Sequence, residues 1–193
     1  MKIFISIEGI DGSGKTSVGK MLSKDLDIDF VEKPMQNIVK DYQEVVSNLN
    51  KNHSELEKIL FYGCGNAYIS ENYDSVIVDR YLLSNYFHNN GENNENIFNA
   101  LVSSLKKPDI TFLLYCNNKI RKERMILRNP NDPSIEIIDN FTENEFQKMI
   151  NFLEKYKFNY FIIDNSKLEI EETIKIMKNK ILEIKGNIKW MIE

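Results

Sequence analysis

Gly9-Ile10-Asp11-Gly12-Ser13-Gly14-Lys15-Thr16 is the stretch that decides the fold of this chain. It fits the pattern G-x-x-x-x-G-K-[ST] and follows a β-branched run, residues 2 to 8. Residues 15 to 26 then carry apolar side chains at helical spacing. Glycines in such a loop let successive backbone N–H groups turn around phosphate oxygens, and the following helix directs its positive end at the same anion. The stretch therefore predicts a strand, a phosphate-binding loop and a helix.

Two side chains of this loop carry the chemistry of the phosphate site. We expect Lys15 to bridge the β- and γ-phosphates of a nucleoside triphosphate and the Thr16 hydroxyl to ligate Mg²⁺. The other candidates for ATP binding in and beside the loop are Gly9, Gly12, Ser13, Gly14 and Ser17. The loop predicts the triphosphate but not the reaction, because many different activities share one fold.

Short apolar runs alternate with helical periodicity along the rest of the chain. Strands are predicted at residues 28–31, 75–79, 109–116 and 160–164, and helices around residues 56–69, 93–105, 118–128, 142–156 and 169–184. Five apolar strands separated by helices predict an α/β fold with a parallel sheet covered on both faces. Since no linker or repeat divides the sequence, we expect one P-loop domain over residues 1–193.

Composition restricts the partners and the compartment. A formal net charge of −4 gives no basic field for wrapping nucleic acid, so we expect a small anionic ligand and no nucleic-acid polymer. No apolar run approaches about 18 residues and the N-terminus lacks the features of a leader, which argues against a membrane partner and favours a cytoplasmic protein. Cys64 and Cys116 lack metal-ligand spacing and are expected to be buried thiols.

Arginine is rare in this lysine-rich chain, which has 21 lysines and four arginines. Its planar fork binds phosphate with two hydrogen bonds where lysine is a point charge, so its positions mark candidate phosphate contacts. Arg124 and Arg128 share one face of a predicted helix and open onto the loop at residues 129–133, where such a pair can offset the charge of a transferring phosphoryl group. The alternative is a solvated helix face with Glu123 as partner.

Asp79 and Arg80 end the third predicted strand. Ligands of open α/β sheets bind at the carboxyl ends of the strands. Asp79 is therefore a candidate for holding Mg²⁺ through water, and Arg80 a candidate for gripping a substrate phosphate. A structural ion pair that caps the strand is the alternative.

Together these segments resemble the thymidylate kinase family of P-loop nucleoside monophosphate kinases over nearly the whole chain. The resemblance is carried by the phosphate loop with its acidic residue Asp11, by Asp79-Arg80-Tyr81 with Ser84, by Lys106-Lys107-Pro108-Asp109 and by Ile163-Asp164-Asn165-Ser166. It implies a P-loop NTPase three-layer sandwich with a five-stranded parallel sheet of order 2-3-1-4-5. It also implies transfer of the γ-phosphoryl group of ATP to a nucleoside monophosphate, such as dTMP or a related dNMP, by a homodimer.

The resemblance also assigns roles to single residues. The catalytic set is Lys15, Arg80, Arg124 and Arg128, with the last two leading into a mobile lid around residues 124–140. Asn165 is assigned to ATP binding, and Thr16 with Asp79 to the metal. The acceptor is assigned to Asp11, Lys33, Phe61, Arg80, Ser84 and Asn89.

The acceptor side departs from the family pattern. Phe61 matches the ring that stacks on the base, but Gly65 stands where the family usually has an arginine that reaches the thymine carbonyl. We therefore expect looser selection among bases, or a preferred base other than thymine. His88, isolated beside Asn89, is expected to be either solvated polarity or part of the acceptor pocket.

Two other functions compete with this one. Deoxynucleoside kinases place a glutamate before the proline after strand two, as the base that deprotonates a 5′-hydroxyl. Here Lys33 stands there and Glu32 one residue earlier, which suits an acceptor that is already anionic. A nucleotide-binding regulatory protein without turnover is the second alternative, and it conflicts with the presence of all the assigned catalytic residues.

Overall fold

A five-stranded parallel sheet organises the computed structural model, which describes residues 2–32, 34–37 and 39–190. Lys33, assigned above to the acceptor, lies outside the described residues. The strands are β1 (Phe4–Glu8), β2 (Phe30–Val31), β3 (Val76–Asp79), β4 (Ile110–Tyr115) and β5 (Tyr160–Asp164). All neighbouring strands are parallel and their order is β2-β3-β1-β4-β5, which confirms the sequence-based prediction.

The central strands are apolar because helices bury both of their faces. Every residue of β1 and β3 is buried, and so are the first five of β4. Ser6 and Thr111 are polar exceptions on neighbouring strands, and their hydroxyls are hydrogen-bonded to each other at 2.7 Å. Such pairing removes the penalty of burying an unmatched polar group.

Helices follow the strands as the sequence pattern predicts. They are α1 (Lys15–Leu26), α2 (Tyr42–Asn52), α3 (Glu55–Asn72), α4 (Leu82–His88), α5 (Glu95–Ser104), α6 (Asn118–Arg128), α7 (Glu143–Lys155) and α8 (Ile170–Trp190). Helices α2 and α4 were not predicted. The sequence analysis missed a signal in α2, where Tyr42, Val45, Val46 and Leu49 stand at helical spacing. In α4 five of the seven residues are buried, so that helix shows no amphipathic period.

The two faces of the sheet carry separate hydrophobic clusters, which gives the predicted three-layer sandwich. Along β1, Phe4 points to one cluster and Ile5 to the other, as strand alternation requires. The first cluster packs against α3, α4, α5 and α7, and the second against α1 and α8. The sandwich thus holds α4, which begins beside the carboxyl end of β3, against an apolar layer.

Helix α3 has a defined start because its first turn is capped. The Ser54 hydroxyl accepts a hydrogen bond from the Glu57 N–H at 3.3 Å, and the Glu57 carboxylate accepts one from the Ser54 N–H at 2.8 Å. A capping box of this kind satisfies two otherwise unpaired donors and is worth about 1 kcal/mol. It fixes the register of a helix that forms one wall of the site described below.

The expectation that both cysteines are buried is wrong for Cys64. Both thiols are free, but Cys116 is buried and Cys64 is exposed. Cys64 lies one helical turn after the exposed Leu60 on α3, so both occupy the solvent-facing side. No helix in the described ranges combines the length and hydropathy needed to cross a membrane.

We expect Phe152→Ala to lower the free energy of unfolding by about 3 to 5 kcal/mol, because it removes the ring at the centre of the first cluster. Phe152 is 1% exposed, and its ring centroid lies 4.6 Å from that of Tyr86 and 4.9 Å from that of Tyr156. Urea unfolding measures the change. Leu182→Ala is the control: this side chain is 65% exposed and its loss should cost less than about 0.5 kcal/mol. Equal losses in the two variants would contradict the assignment of Phe152 to the core.

Candidate functional site

A cavity of about 1290 Å³ opens where the carboxyl ends of β1 and β3 meet the starts of α1 and α4. Most of the predicted site residues line it: Asp11, Gly12, Gly14, Lys15, Thr16, Ser17, Asp79, Arg80, Ser84, Asn89, Arg124, Arg128 and Asn165. Of the described candidates, Gly9, Ser13 and Phe61 are not lining residues. The structure therefore brings together side chains that lie up to about 150 positions apart in the sequence.

The phosphate loop requires glycine at two of its positions. Gly9 has φ +139° and Gly14 has φ +98°, in the region that side chains disfavour. A Cβ at Gly9 would lie 2.5 Å from the backbone oxygen of Leu114, and one at Gly14 would lie 2.7 Å from Nδ2 of Asn165. The loop thus packs tightly against β4 and the segment after β5. No side chain caps α1 at Gly14, so the N–H groups of its first turn remain available to an anion.

Lys15 is buried in the floor of the cavity. Its Nζ donates to the backbone oxygen of Ile10 at 2.8 Å. Burial, together with the nearby cation Arg80, lowers the pKa of Lys15 to about 8. A phosphate group would offer this ammonium a charged partner in place of a neutral carbonyl.

Thr16 and Asp79 fit the predicted metal site. The Thr16 hydroxyl donates to Oδ2 of Asp79, and Asp79 is almost fully buried. Its Oδ1 has no hydrogen-bond partner within the described part of the chain. A hydroxyl and a carboxylate are hard oxygen ligands of the kind that Mg²⁺ prefers. No group of three or more His, Cys, Asp or Glu side chains that could hold a metal occurs among the described residues, so phosphates and water would supply the remaining ligands.

Arg80 connects the phosphate loop to α4. Its backbone has φ +75°, and its guanidinium donates to Nε2 of His88 at 2.9 Å, to the Ser84 hydroxyl at 3.3 Å and to the Asp11 carboxylate. Burial alone would raise the pKa of Asp11, but Arg80 and Lys15 outweigh it and hold that pKa at about 2. At this edge Arg80 forms its ion pair with Asp11 of the phosphate loop, while Asp79 accepts from Thr16.

His88 lines the cavity, and its part in binding an acceptor stays a prediction. Its ring faces solvent within the cavity, yet the surrounding protein and the cationic Arg80 lower the pKa of His88. Nε2 accepts the hydrogen bond from Arg80 and is therefore unprotonated. The neutral ring holds one N–H of the Arg80 guanidinium without adding charge.

Glu8 is a site residue that the sequence analysis missed. Its carboxylate is buried and accepts hydrogen bonds from the Tyr81 N–H at 2.8 Å and from the Ser84 hydroxyl at 2.5 Å. Burial raises the pKa of Glu8, although these two hydrogen bonds favour the ionised carboxylate and act to lower it. Glu8 thus connects the end of β1 to the first turn of α4. In the sequence, the available signal was a single charged residue at the end of an apolar strand.

Arg121 is a second residue that the sequence analysis passed over. It is buried, its Nε donates to the backbone oxygen of Asp11 at 2.8 Å, and its Nη1 donates to Oδ1 of Asn118 at 2.8 Å. Its guanidinium also lies 5.3 Å from the ring centroid of Phe141. Arg121 therefore positions the phosphate loop from α6, and the rarity of arginine was the available signal.

The two predicted lid arginines have different partners. Arg124 donates to the backbone oxygen of Asn165 at 3.0 Å and to Sγ of Cys116 at 3.5 Å. Arg128 donates to the carboxylate of Asp132 at 2.7 Å, and its side chain is 61% exposed. Neither has the proposed partner Glu123 among its ion pairs in the described residues, and both reach the cavity.

Asn165 and Phe61, which the sequence analysis assigns to ligand contacts, contact other parts of the protein. The Asn165 amide donates to the backbone oxygen of Ser13 at 2.8 Å and accepts from the Thr173 hydroxyl at 2.8 Å, so it braces the phosphate loop. Phe61 stacks on Tyr42 with centroids 6.5 Å apart, while Tyr42 itself lines the cavity. The stacking of Phe61 on a base stays a prediction.

Comparison with known proteins identifies relatives over nearly the full length. The family model described as thymidylate kinase matches residues 7–176. A probable thymidylate kinase of Methanocaldococcus jannaschii is 28% identical over 198 residues, covering 96% of this chain and 97% of that protein. A thymidylate kinase of Mesomycoplasma hyopneumoniae is 30% identical over 197 residues, covering 85% of this chain and 89% of that protein.

Solved structures share the fold. Thymidylate kinase from Candida albicans superimposes with a TM-score of 0.72 at 18% identity, covering 96% of this chain and 93% of that chain. Deoxyadenosine kinase from M. mycoides, with the products dCMP and dCDP bound, gives a TM-score of 0.61 at 18% identity, covering 93% and 98%. At this identity both comparisons support the architecture alone.

Proton uptake on phosphate binding tests the environment of Lys15. Because the pKa of Lys15 is lowered to about 8, the free protein loses this proton as the pH rises through that value. Phosphate favours the charged form, so binding of ADP at about pH 9 should take up close to one proton per site, against almost none at about pH 6.5. Above about pH 8 the affinity should fall by up to tenfold per pH unit.

Calorimetry in two buffers of different ionisation enthalpy measures this uptake. The ADP phosphates are fully ionised at the higher pH, because their last pKa is near about 6. Lys15→Met should abolish the uptake, and Lys24→Met, which alters an exposed lysine of the same helix, should keep it. Uptake that persists in Lys15→Met would assign the proton to another group.

Proposed function

The chain belongs to the thymidylate kinase family, and we propose that it transfers the γ-phosphoryl group of ATP to dTMP or a related deoxynucleoside monophosphate. It is accordingly an ATP-dependent nucleotide kinase. The observation that carries the proposal is the position of Arg80 between the two ends of one cavity. Its Nη1 lies 3.5 Å from the backbone oxygen of Gly9 in the phosphate loop and 2.9 Å from Nε2 of His88 on α4. A guanidinium there is suited to an acceptor phosphate that must meet the donor.

The donor end supplies positive groups for a triphosphate. The free N–H groups at the start of α1 and the Lys15 ammonium face the same volume. Mg²⁺, held by Thr16 and Asp79, would neutralise charge on the phosphates. The chemistry needs little else from the protein, because phosphoryl transfer depends mainly on positioning and on charge stabilisation.

The acceptor end exchanges partners when its ligand binds. Arg80 is paired with Asp11, whose carboxylate stays ionised at any physiological pH. An acceptor phosphate offers Arg80 two oxygens and competes with Asp11 for the guanidinium. Asp11 is then released toward the acceptor sugar, as its family assignment requires. The Ser84 hydroxyl donates to the Glu8 carboxylate and accepts from Arg80. Ser84 therefore contributes to acceptor binding by positioning Arg80.

Residues 124–140 form a lid in this proposal. Among the described residues, Arg128 forms an ion pair with Asp132 at the exposed end of α6, and Arg124 donates to the neutral backbone oxygen of Asn165. Both partners carry less negative charge than the phosphoryl group during transfer. Closure of the lid would therefore move the two guanidinium groups onto the transferred phosphate. We also propose that the chain is one kinase domain and that it acts in the cytoplasm as a homodimer. Size-exclusion chromatography with light scattering checks the dimer.

A deoxynucleoside kinase is the second candidate, and one observation favours it. Glu32 lines the cavity and forms an ion pair with Lys20 at 3.4 Å, so a carboxylate is present near the acceptor end. A carboxylate is the group that removal of a proton from a 5′-hydroxyl needs. The monophosphate proposal is preferred because Arg80 offers a binding site for an anionic acceptor and the family match is to thymidylate kinases.

An acceptor screen tests the proposal. Production of ADP is measured with dTMP, dUMP, dCMP, dGMP and dAMP and with the parent nucleosides. We expect turnover with monophosphates and none with nucleosides, and Lys15→Ala should lower it by at least about a hundredfold with an unchanged circular dichroism spectrum. Turnover with nucleosides alone would establish the deoxynucleoside kinase. Nucleotide binding without turnover on any acceptor would establish a regulatory protein.

Charge-conserving replacements test the lid. In at least one of Arg124→Lys and Arg128→Lys, the barrier to transfer should rise by about 2 to 4 kcal/mol with a much smaller change in ATP affinity, because an oriented fork is lost. Single-turnover rates and equilibrium binding separate the two effects. Lys119→Arg, an exposed position of the same helix, should leave both unchanged. If both lysine variants turn over like the parent, the pair is a solvated helix face.

A further inference from the structure

Glu8 is a buried carboxylate at the last position of β1, and the phosphoryl transfer proposed above does not use it. It is 1% exposed and is not among the residues that line the cavity, so it acts on a bound ligand only through other residues. Burial of a carboxylate is costly unless hydrogen bonds and opposite charges compensate for it, and burial raises the pKa of Glu8. The partners of this carboxylate show what its charge does.

The first partner of Glu8 holds the backbone on either side of Arg80. Arg80 has φ +75°, a left-handed conformation that a residue with a side chain disfavours. The Arg80 N–H donates to the backbone oxygen of Ile7 at 3.1 Å. The next N–H, that of Tyr81, donates to Oε1 of Glu8 at 2.8 Å. Two consecutive residues of β1 therefore stabilise the turn from which the Arg80 side chain enters the cavity.

The second partner of Glu8 holds the guanidinium of Arg80. The Ser84 hydroxyl donates to Oε2 of Glu8 at 2.5 Å, and its oxygen accepts from Nη1 of Arg80 at 3.3 Å. Because the hydroxyl proton is committed to the carboxylate, the lone pairs of the Ser84 oxygen are left for the guanidinium. Glu8 thus sets the direction of the hydrogen bond that orients Arg80.

These hydrogen bonds are all satisfied when Glu8 is ionised. Its two oxygens then accept from the Tyr81 N–H and from the Ser84 hydroxyl. A protonated Glu8 would instead donate to the Ser84 oxygen, which would face two donors while its own proton lost its acceptor. The cations Arg80 and Lys15 also favour the charged form of this carboxylate.

We propose that Glu8 is a positioning residue for acceptor binding, because it holds Arg80 by its backbone and by its side chain. The inference deepens the proposed function and rests on it. Asp11 contacts Nη2 of Arg80 while Ser84 contacts Nη1, so an acceptor phosphate can replace Asp11 without breaking the contact with Ser84. A guanidinium oriented in advance loses less conformational freedom when the phosphate binds, which raises the affinity for the acceptor.

Replacement of the carboxylate by an amide of the same shape gives the sharpest test. In Glu8→Gln, Oε1 still accepts from Tyr81, but an NH₂ group faces Ser84 in place of an acceptor. The Ser84 proton is then free to turn toward the guanidinium, which disturbs the orientation of Arg80. We expect KM for the preferred monophosphate acceptor to rise by at least about tenfold, while KM for ATP changes by less than about twofold.

Ser6→Ala is the matched control, because Ser6 is also a buried polar residue on the same face of β1 and its hydroxyl is hydrogen-bonded to Thr111. This variant should leave both KM values unchanged. Deoxyribose 5-phosphate, which competes with the acceptor and lacks a base, isolates the phosphate contact. Its inhibition constant should rise in Glu8→Gln by about the same factor as KM for the acceptor. A rise in KM for ATP as large as that for the acceptor would show a general structural role and overturn the proposal.

Ser84→Ala tests the route from Glu8 to the guanidinium. In a protein that already carries Ser84→Ala, Glu8→Gln should change KM for the acceptor by less than about twofold, because the amide keeps the bond to Tyr81. Additive effects of the two substitutions overturn the proposal. If Glu8→Gln does not fold, Ser84→Ala by itself decides. It must raise the inhibition constant of deoxyribose 5-phosphate by at least about tenfold, and an unchanged constant refutes the proposal.

The outcomes separate the inference from the proposed function. Wild-type turnover with monophosphates, combined with an unaltered KM for the acceptor in Glu8→Gln, overturns the role of Glu8 and leaves the kinase intact. Failure of the wild-type protein to phosphorylate any monophosphate refutes the proposed function itself.

Discussion

The phosphate loop depends on side-chain hydrogen bonds that engage its carbonyl groups. Lys15, Arg121 and Asn165 donate to the backbone oxygens of Ile10, Asp11 and Ser13 respectively. Carbonyl oxygens repel an anion, so tying them to side chains leaves the positive end of α1 as the dominant field at the site. The close approach of Gly9 to β4 gives the loop its position on the sheet. The charged side chains that line the cavity are arranged around this loop.

The charged groups around the loop have hydrogen-bond partners within the protein. Arg80 is held by Asp11 and Thr16 by Asp79, and Lys15 has a neutral carbonyl as its hydrogen-bond acceptor. Such internal partners limit the cost of burying charge before phosphate arrives. Burial, together with the nearby Arg80, lowers the pKa of Lys15, whereas for Asp11 burial alone would raise the pKa and the cations Arg80 and Lys15 outweigh it.

Helix α4 links the phosphate chemistry to the opposite wall of the cavity. Its first turn is tied to β1 by Glu8, and Tyr86 packs into the aromatic cluster around Phe152. Asn85, on the same short helix, donates to the backbone oxygen of Ile59 and so joins α4 to α3 along the cavity wall. Hydrophobic packing of α4 therefore positions both His88, which contacts the Arg80 guanidinium, and the Asn85 amide. A change in the core beneath α4 would reach both walls of the cavity.

The sequence by itself determined the strand positions, the phosphate loop and the cluster of Asp79, Arg80 and Ser84, because these depend on local periodicity and on motifs of fixed spacing. Only the tertiary structure decided the roles of Glu8, Arg121 and Asn165, whose decisive hydrogen bonds join residues 73 to 152 positions apart. It also decided the exposure of Cys64, the helix α4 and the orientation of the Asn85 amide. Those features follow from which groups face each other after folding, and a buried amide takes its orientation from a carbonyl that no local pattern brings beside it.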